Sequence, residues 1–122
     1  FKNFKLYQNI IDLGKKMSGA DIVISAGGNT VFELACVGTP GFVLWEDSHE
    51  KIQGEVFEKE GVVINLGNGM KTDLQKISSN IESLLIDMKK RKKMSHAGKK
   101  LIDGKGTKRI IDKIQEQLMF NL

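Results

Sequence analysis

Cysteine, proline, tryptophan and tyrosine each occur once in this chain of 122 residues. The lone Cys36 excludes an internal disulfide and suits a reducing compartment. No apolar run approaches the roughly 20 residues that a membrane-spanning helix needs, and Phe1 to Phe4 show no signal-peptide pattern. A cytoplasmic protein is expected. Catalytic constellations are equally scarce: there is no Ser-His-Asp set, no close carboxylate pair of assignable role and no Cys/His metal spacing. No catalytic residue can be assigned, and no metal or other cofactor is expected.

What is present is the composition of one folded domain. The chain is 40% hydrophobic and 28% charged, which argues against disorder. Its length allows one core and little room for a second lobe. Nineteen basic against fifteen acidic residues give a net charge of +4. Much of the excess lies in Lys89, Lys90, Arg91, Lys92 and Lys93. Such a run reads first as a solvated helix face, and second as a peripheral contact with an anionic membrane surface. No aromatic residues interleave with it, so nucleic acid is not an expected partner.

Periodicity sets out the elements. Residues 4–8 alternate as a short strand would, and Ile10, Leu13 and Met17 have helical spacing over 10–18. Further strands are expected at 21–25, 41–45 and 62–66. Helices are expected at 30–37, ended by Gly38 and Pro40, and at 49–60, with Ile52, Val56 and Phe57 facing inward. Beyond Gly69 the pattern is helical only, over 72–87, 89–101 and 107–119. Short, solid Val/Ile strands alternating with helices predict an α/β fold, a Rossmann-like parallel sheet with helices on both faces. In such sheets ligands bind at the carboxyl ends of the strands, three of which are here rich in Gly, Asn, Ser, Thr or His.

The segment Ser25-Ala26-Gly27-Gly28-Asn29-Thr30 joins a buried strand to a helix. Two glycines allow close backbone approach and positive φ, and the helix start offers unpaired N–H groups and partial positive charge. Together they can cradle a phosphate; a plain tight turn is the alternative. Thr30-Val31-Phe32-Glu33 also fits a capping box, in which Glu33 would reach back to the Thr30 amide. A carboxylate one turn into the helix can instead accept hydrogen bonds from a ribose diol. His49, at a helix start on the same edge, reads as a cap, a surface residue or a sugar or phosphate ligand. His96 reads as structural or exposed, and Cys36 as core.

Ala20 to Glu33, with Ile-Ser-Ala-Gly-Gly-Asn-Thr at its centre, resembles the signature of the C-terminal, nucleotide-sugar-binding domain of GT-B enzymes of the family 28 type. These include the peptidoglycan N-acetylglucosaminyltransferases, the UDP-aminosugar hydrolase of pseudaminic acid synthesis and spore-coat polysaccharide proteins. The likeness continues through Gly38-Thr39-Pro40-Gly41-Phe42-Val43-Leu44 and Phe57-Glu58-Lys59-Glu60-Gly61. Asp103-Gly104-Lys105-Gly106-Thr107-Lys108-Arg109-Ile110 is similar to a tail of the hydrolase and spore-coat group.

The resemblance implies that Gly27, Gly28, Asn29 and Thr30 hold a diphosphate, that Glu33 binds the ribose, and that the main chain at Ile10 meets the base. It places Glu50 and Gln53 where the transferases carry a sugar-contacting Gln and Asn, so that pattern is not kept; His49, Glu50 and Gln53 are the candidate sugar contacts. The implied function is binding of a UDP-sugar as the donor lobe of a glycosyltransferase in cell-surface polysaccharide or glycolipid synthesis. A UDP-aminosugar hydrolase lobe and a non-catalytic nucleotide-sugar-binding module are the alternatives.

The resemblance further implies that two strand–helix units of this lobe, and an N-terminal lobe or partner subunit with the catalytic base, lie outside the chain. In a 3-2-1-4-5-6 sheet that leaves an apolar edge at 21–25. Self-association is therefore expected, by edge pairing or by exchange of Phe1–Gln8 between chains. Alternatively, residues 4–8 pair with 21–25 within one chain.

Overall fold

Helix and strand alternate from Leu13 to Ile86, and two further helices follow, in the computed structural model, which describes residues 3–122. In chain order the elements are α1 (Leu13–Ser18), β1 (Val23–Ser25), α2 (Thr30–Val37), β2 (Gly41–Trp45), α3 (Ser48–Lys59), β3 (Val63–Asn68), α4 (Leu74–Ile86), α5 (Met88–Leu101) and α6 (Gly106–Phe120). The three strands form one parallel sheet in the order β1-β2-β3. No helix among the described residues is long and apolar enough to cross a membrane.

The sheet is covered on both faces because successive strand residues point to opposite sides. Val43 packs with Met17, Val31, Leu34, Ala35 and Phe57, under α1, α2 and α3. Its neighbour Phe42 packs with Leu66, Leu84 and Met94, under α4 and α5. α2 ends where its sequence stops it: Gly38 is left-handed at φ 76°, and the amides of Gly38 and Thr39 return to the Leu34 carbonyl. The Thr39 hydroxyl donates to the Met17 carbonyl at 2.7 Å, tying the end of α1 to this turn.

Three expectations need correction. Residues 4–8 form no strand; they run as irregular chain with Leu6 and Tyr7 well exposed. The pairing of 4–8 with 21–25 is therefore not made, and among the described residues β1 has no neighbour on its outer edge. Five alternating residues specify a face, but a strand exists only where a ladder accepts it. Phe1 and Lys2, part of the segment expected to exchange between chains, lie outside the described residues. Second, α3 turns inward with Gly54 and Phe57, while Ile52 and Val56 stay more than half exposed. A Cβ on Gly54 would come 3.0 Å from Val43 Cγ1; the helix lies so near β2 that the residue facing Val43 carries no side chain. Third, β3 runs on to Asn68 through a bulge, where the partner of Leu44 is Gly67 rather than Leu66.

The lysine run is a solvated face, as the first reading has it. Lys89, Lys90, Lys92 and Lys93 are exposed, but Arg91 turns back and donates to the carbonyls of Leu84 and Leu85 at the end of α4. His96 is exposed and Cys36 half-buried. The tail is built as a turn. The Asp103 carboxylate accepts the Lys105 amide and both arms of the Arg109 guanidinium, which fixes the start of α6. This pairing, with the Arg109 hydrogen bond as its largest cause, lowers the Asp103 pKa to about 2.

Candidate functional site

β1 delivers the chain to the loop 25–30 at the carboxyl edge of the sheet, and α2 begins directly after it. The two glycines differ. Gly27 is buried with φ +101°, and a Cβ there would lie 3.0 Å from both the Glu50 carbonyl oxygen and Val43 Cγ1. Gly28 has ordinary φ, and its nearest neighbour would be Glu50 Oε1 at 4.0 Å. Gly27 is thus required by the fold itself, whereas the protein leaves room at Gly28. The expectation of positive φ holds for the first glycine alone.

The start of α2 is open. Asn29 is its N-cap and makes no side-chain cap bond. The Val31 and Phe32 amides turn back to the carbonyls of Gly28 and Asn29. No group among the described residues accepts from the amides of Gly28, Asn29 and Thr30. The capping box expected from Thr30 to Glu33 is not made either: Thr30 is the first helical residue, and Glu33 is exposed with no bond to its carboxylate among the described residues. A related box is found one helix later. Asp47 caps α3 through its side chain, accepting the Glu50 amide at 2.9 Å, and Glu50 Oε2 accepts the Glu46 amide at 2.9 Å. Both sequences carry the same spacing, but Asp47 stands at the N-cap of α3 in extended backbone, whereas Thr30 already lies inside α2, behind Asn29 in helical backbone.

α3 borders the loop. Gln53 Nε2 donates to the carbonyl oxygens of Gly27 and Gly28, each at 2.7 Å. Its side chain also lines a groove of about 380 Å³ with His49, Phe32, Ile52 and Val56. Phe32 and Phe57 meet edge to face there, with centroids 4.9 Å apart. The structure thus gathers Gly27, Gly28, Asn29, Thr30, Glu50 and Gln53 around one loop, with His49 beside it on the groove. Ile10 is placed elsewhere, in a shallow depression with Asp12, Lys15, Lys16 and Gly19.

Sequence reading left two residues without a role. The Ser25 hydroxyl oxygen, at the end of β1 where the loop begins, is buried with no hydrogen-bond partner among the described residues, and a buried unpaired polar atom needs a reason. Gly54 lets α3 approach β2. Its signal was visible as a glycine in mid-helix, a residue that costs stability unless close packing needs it.

No family model matches the chain. It is 26% identical over 113 residues to the spore coat polysaccharide biosynthesis protein SpsG of Bacillus subtilis, covering 93% of this chain and 33% of that protein. It is 30% identical over 112 residues to a UDP-N-acetylglucosamine–N-acetylmuramyl-(pentapeptide) pyrophosphoryl-undecaprenol N-acetylglucosamine transferase of Ectopseudomonas mendocina, covering 88% of this chain and 31% of the enzyme. The transferase of Caldicellulosiruptor saccharolyticus is 28% identical, over 95% and 32% of the two chains. The chain spans about a third of the length of these relatives. Among solved structures, a UDP-N-acetylglucosamine 2-epimerase superposes with a TM-score of 0.69 at 22% identity, over 86% of this chain and 26% of the epimerase. These likenesses bear out the family resemblance and the GT-B type of α/β fold read from the sequence.

Proposed function

We propose, from relatives that include glycosyltransferases, that this chain binds the diphosphate and ribose of a UDP-sugar. It acts in this reading as the donor-binding part of a glycosyltransferase of cell-surface polysaccharide or glycolipid synthesis. The observation that carries the reading is the set of unbonded amides at Gly28, Asn29 and Thr30, on a loop that Gly27 bends toward an open helix start. Unpaired amides beside a helix N-terminus favour an anion. The buried, unpartnered Ser25 hydroxyl supports a polar ligand at this edge, and the uncommitted Glu33 carboxylate suits a ribose diol. The base contact at Ile10 and the sugar contacts at His49 and Glu50 belong to the same proposal. The donor lobe of a nucleotide-sugar hydrolase is the second reading, favoured by the Asp103–Arg109 tail.

Calorimetric titration with UDP, a UDP-sugar and uridine tests the proposal. Binding of UDP and the UDP-sugar, with uridine much weaker, is expected. No UDP binding at millimolar concentration refutes it. Turnover of the UDP-sugar by the chain joined to a complete N-terminal lobe separates transfer from hydrolysis.

A further inference from the structure

We infer that Gln53 is a positioning residue that locks the glycine loop in its anion-binding shape, and not a contact to the sugar; the inference deepens the diphosphate reading and rests on it. Gln53 occupies the position at which resemblance implies a sugar contact, but the structure commits its donors elsewhere. An amide nitrogen carries two hydrogens. Both are used, at 2.7 Å each, on the carbonyl oxygens of Gly27 and Gly28. Only the amide oxygen is left to meet a ligand.

The consequence follows from peptide geometry. In a trans peptide the C=O of one residue and the N–H of the next point in opposite directions. Gln53 draws two successive carbonyls toward α3. The amides of Gly28 and Asn29 are therefore presented on the side away from α3, next to one another. Adjacent main-chain amides facing one way form a concavity for an anion. The Val31 amide also holds the Gly28 carbonyl, at 3.1 Å, but without Gln53 the Gly27 carbonyl has no other partner among the described residues and, on a flexible glycine, can turn toward the ligand and repel it. Gln53 removes that freedom, and Gly54 makes the reach possible by letting α3 lie against Val43.

Two variants test the inference: Gln53→Met, which keeps length without donors, and Gln53→Glu, which keeps shape without donors. The readouts are ¹⁵N order parameters for Gly28 and Asn29, and affinities for UDP, a UDP-sugar and uridine. In both variants the Gly28 amide is expected to fall from the rigid range, about 0.85, to below about 0.6, and the Asn29 amide, whose peptide carbonyl the Val31 amide still holds, by less, with the remaining backbone unchanged. UDP affinity is expected to drop about tenfold, as for two lost hydrogen bonds. Uridine affinity and the ratio of UDP-sugar to UDP affinity are expected to stay constant.

A loop that remains rigid overturns the inference, as does a loss confined to the UDP-sugar, which makes Gln53 a sugar ligand. If the unaltered chain fails to bind UDP while the variant loops loosen, the lock stands and the diphosphate reading falls.

Discussion

Replacing each loop glycine by alanine separates what the fold requires from what a ligand requires. At Gly27, φ is +101°, outside even the left-handed region that other residues visit. An L side chain there costs roughly 1–2 kcal/mol for the backbone alone. The new Cβ would also stand 3.0 Å from the Glu50 carbonyl oxygen and from Val43 Cγ1. The first is helix backbone and the second is fully buried, so neither gives way cheaply, and overpacking of this kind adds about 1–3 kcal/mol. The sum, roughly 2–5 kcal/mol, corresponds to a Tm lower by about 8–20 °C in a domain of this size. At Gly28 the backbone is unstrained and the nearest atom, Glu50 Oε1, is 4.0 Å from the Cβ position. Gly28→Ala should shift Tm by no more than about 2 °C, as surface substitutions do. Thermal unfolding followed by circular dichroism gives both values on one scale. Equal effects at the two positions would refute the reasoning, because the distinction rests entirely on φ and on the neighbours of the missing Cβ. Gly28→Val, whose Cβ meets nothing nearer than Glu50 Oε1 at 4.0 Å, should keep the fold and remove UDP binding; unchanged affinity by calorimetry takes Gly28 out of the site.

Glu33→Gln should leave stability unchanged, since no cap bond depends on the carboxylate, and should weaken UDP binding by about 1–3 kcal/mol through loss of charge-assisted bonds to the ribose. Equal affinity for UDP and its 2′,3′-dideoxy analogue would rule out the ribose contact. Asp103 is held at about pKa 2 by Arg109, so its contribution to the α5–α6 turn is present above its ordinary value of 3.8 and is lost as pH falls through about 2. Carboxyl NMR should place its midpoint at about 2 in the intact chain, and Arg109→Ala should move it up toward 3.8; an unmoved midpoint refutes the pairing. The 122-residue chain should self-associate through the open β1 edge, where Ile24 is 47% exposed, and the apolar stripe Ile110, Ile114 and Leu118 of α6. A constant monomer mass in light scattering over a concentration series would refute this.

Local pattern alone determined α2 and β2 to the residue, because each lies between strong stop signals: Gly38 and Pro40 end one and open the other. It also determined the parallel α/β layering and located the glycine loop at the carboxyl edge of the sheet, since a solid apolar strand followed by Gly-Gly and a helix start leaves few alternatives. Tertiary structure decided what depends on distant neighbours. Residues 4–8 have the alternation of a strand, but no ladder accepts them. Thr30–Glu33 and Asp47–Glu50 share capping-box spacing; in the second Asp47 accepts the Glu50 amide and Glu50 returns to the Glu46 amide, and the first makes neither bond. Gly27 and Gly28 are adjacent and chemically identical, yet only Gly27 has a positive φ and a Cβ position crowded by α3 and β2. The inward face of α3 was misread from Ile52 and Val56 because hydrophobicity marks large buried residues, whereas the close approach to β2 required a glycine. Gln53 reaches the loop across 25 and 26 residues of chain, a contact that periodicity cannot encode: spacing reports which residues share a face of their own element, and only packing reports what that face meets.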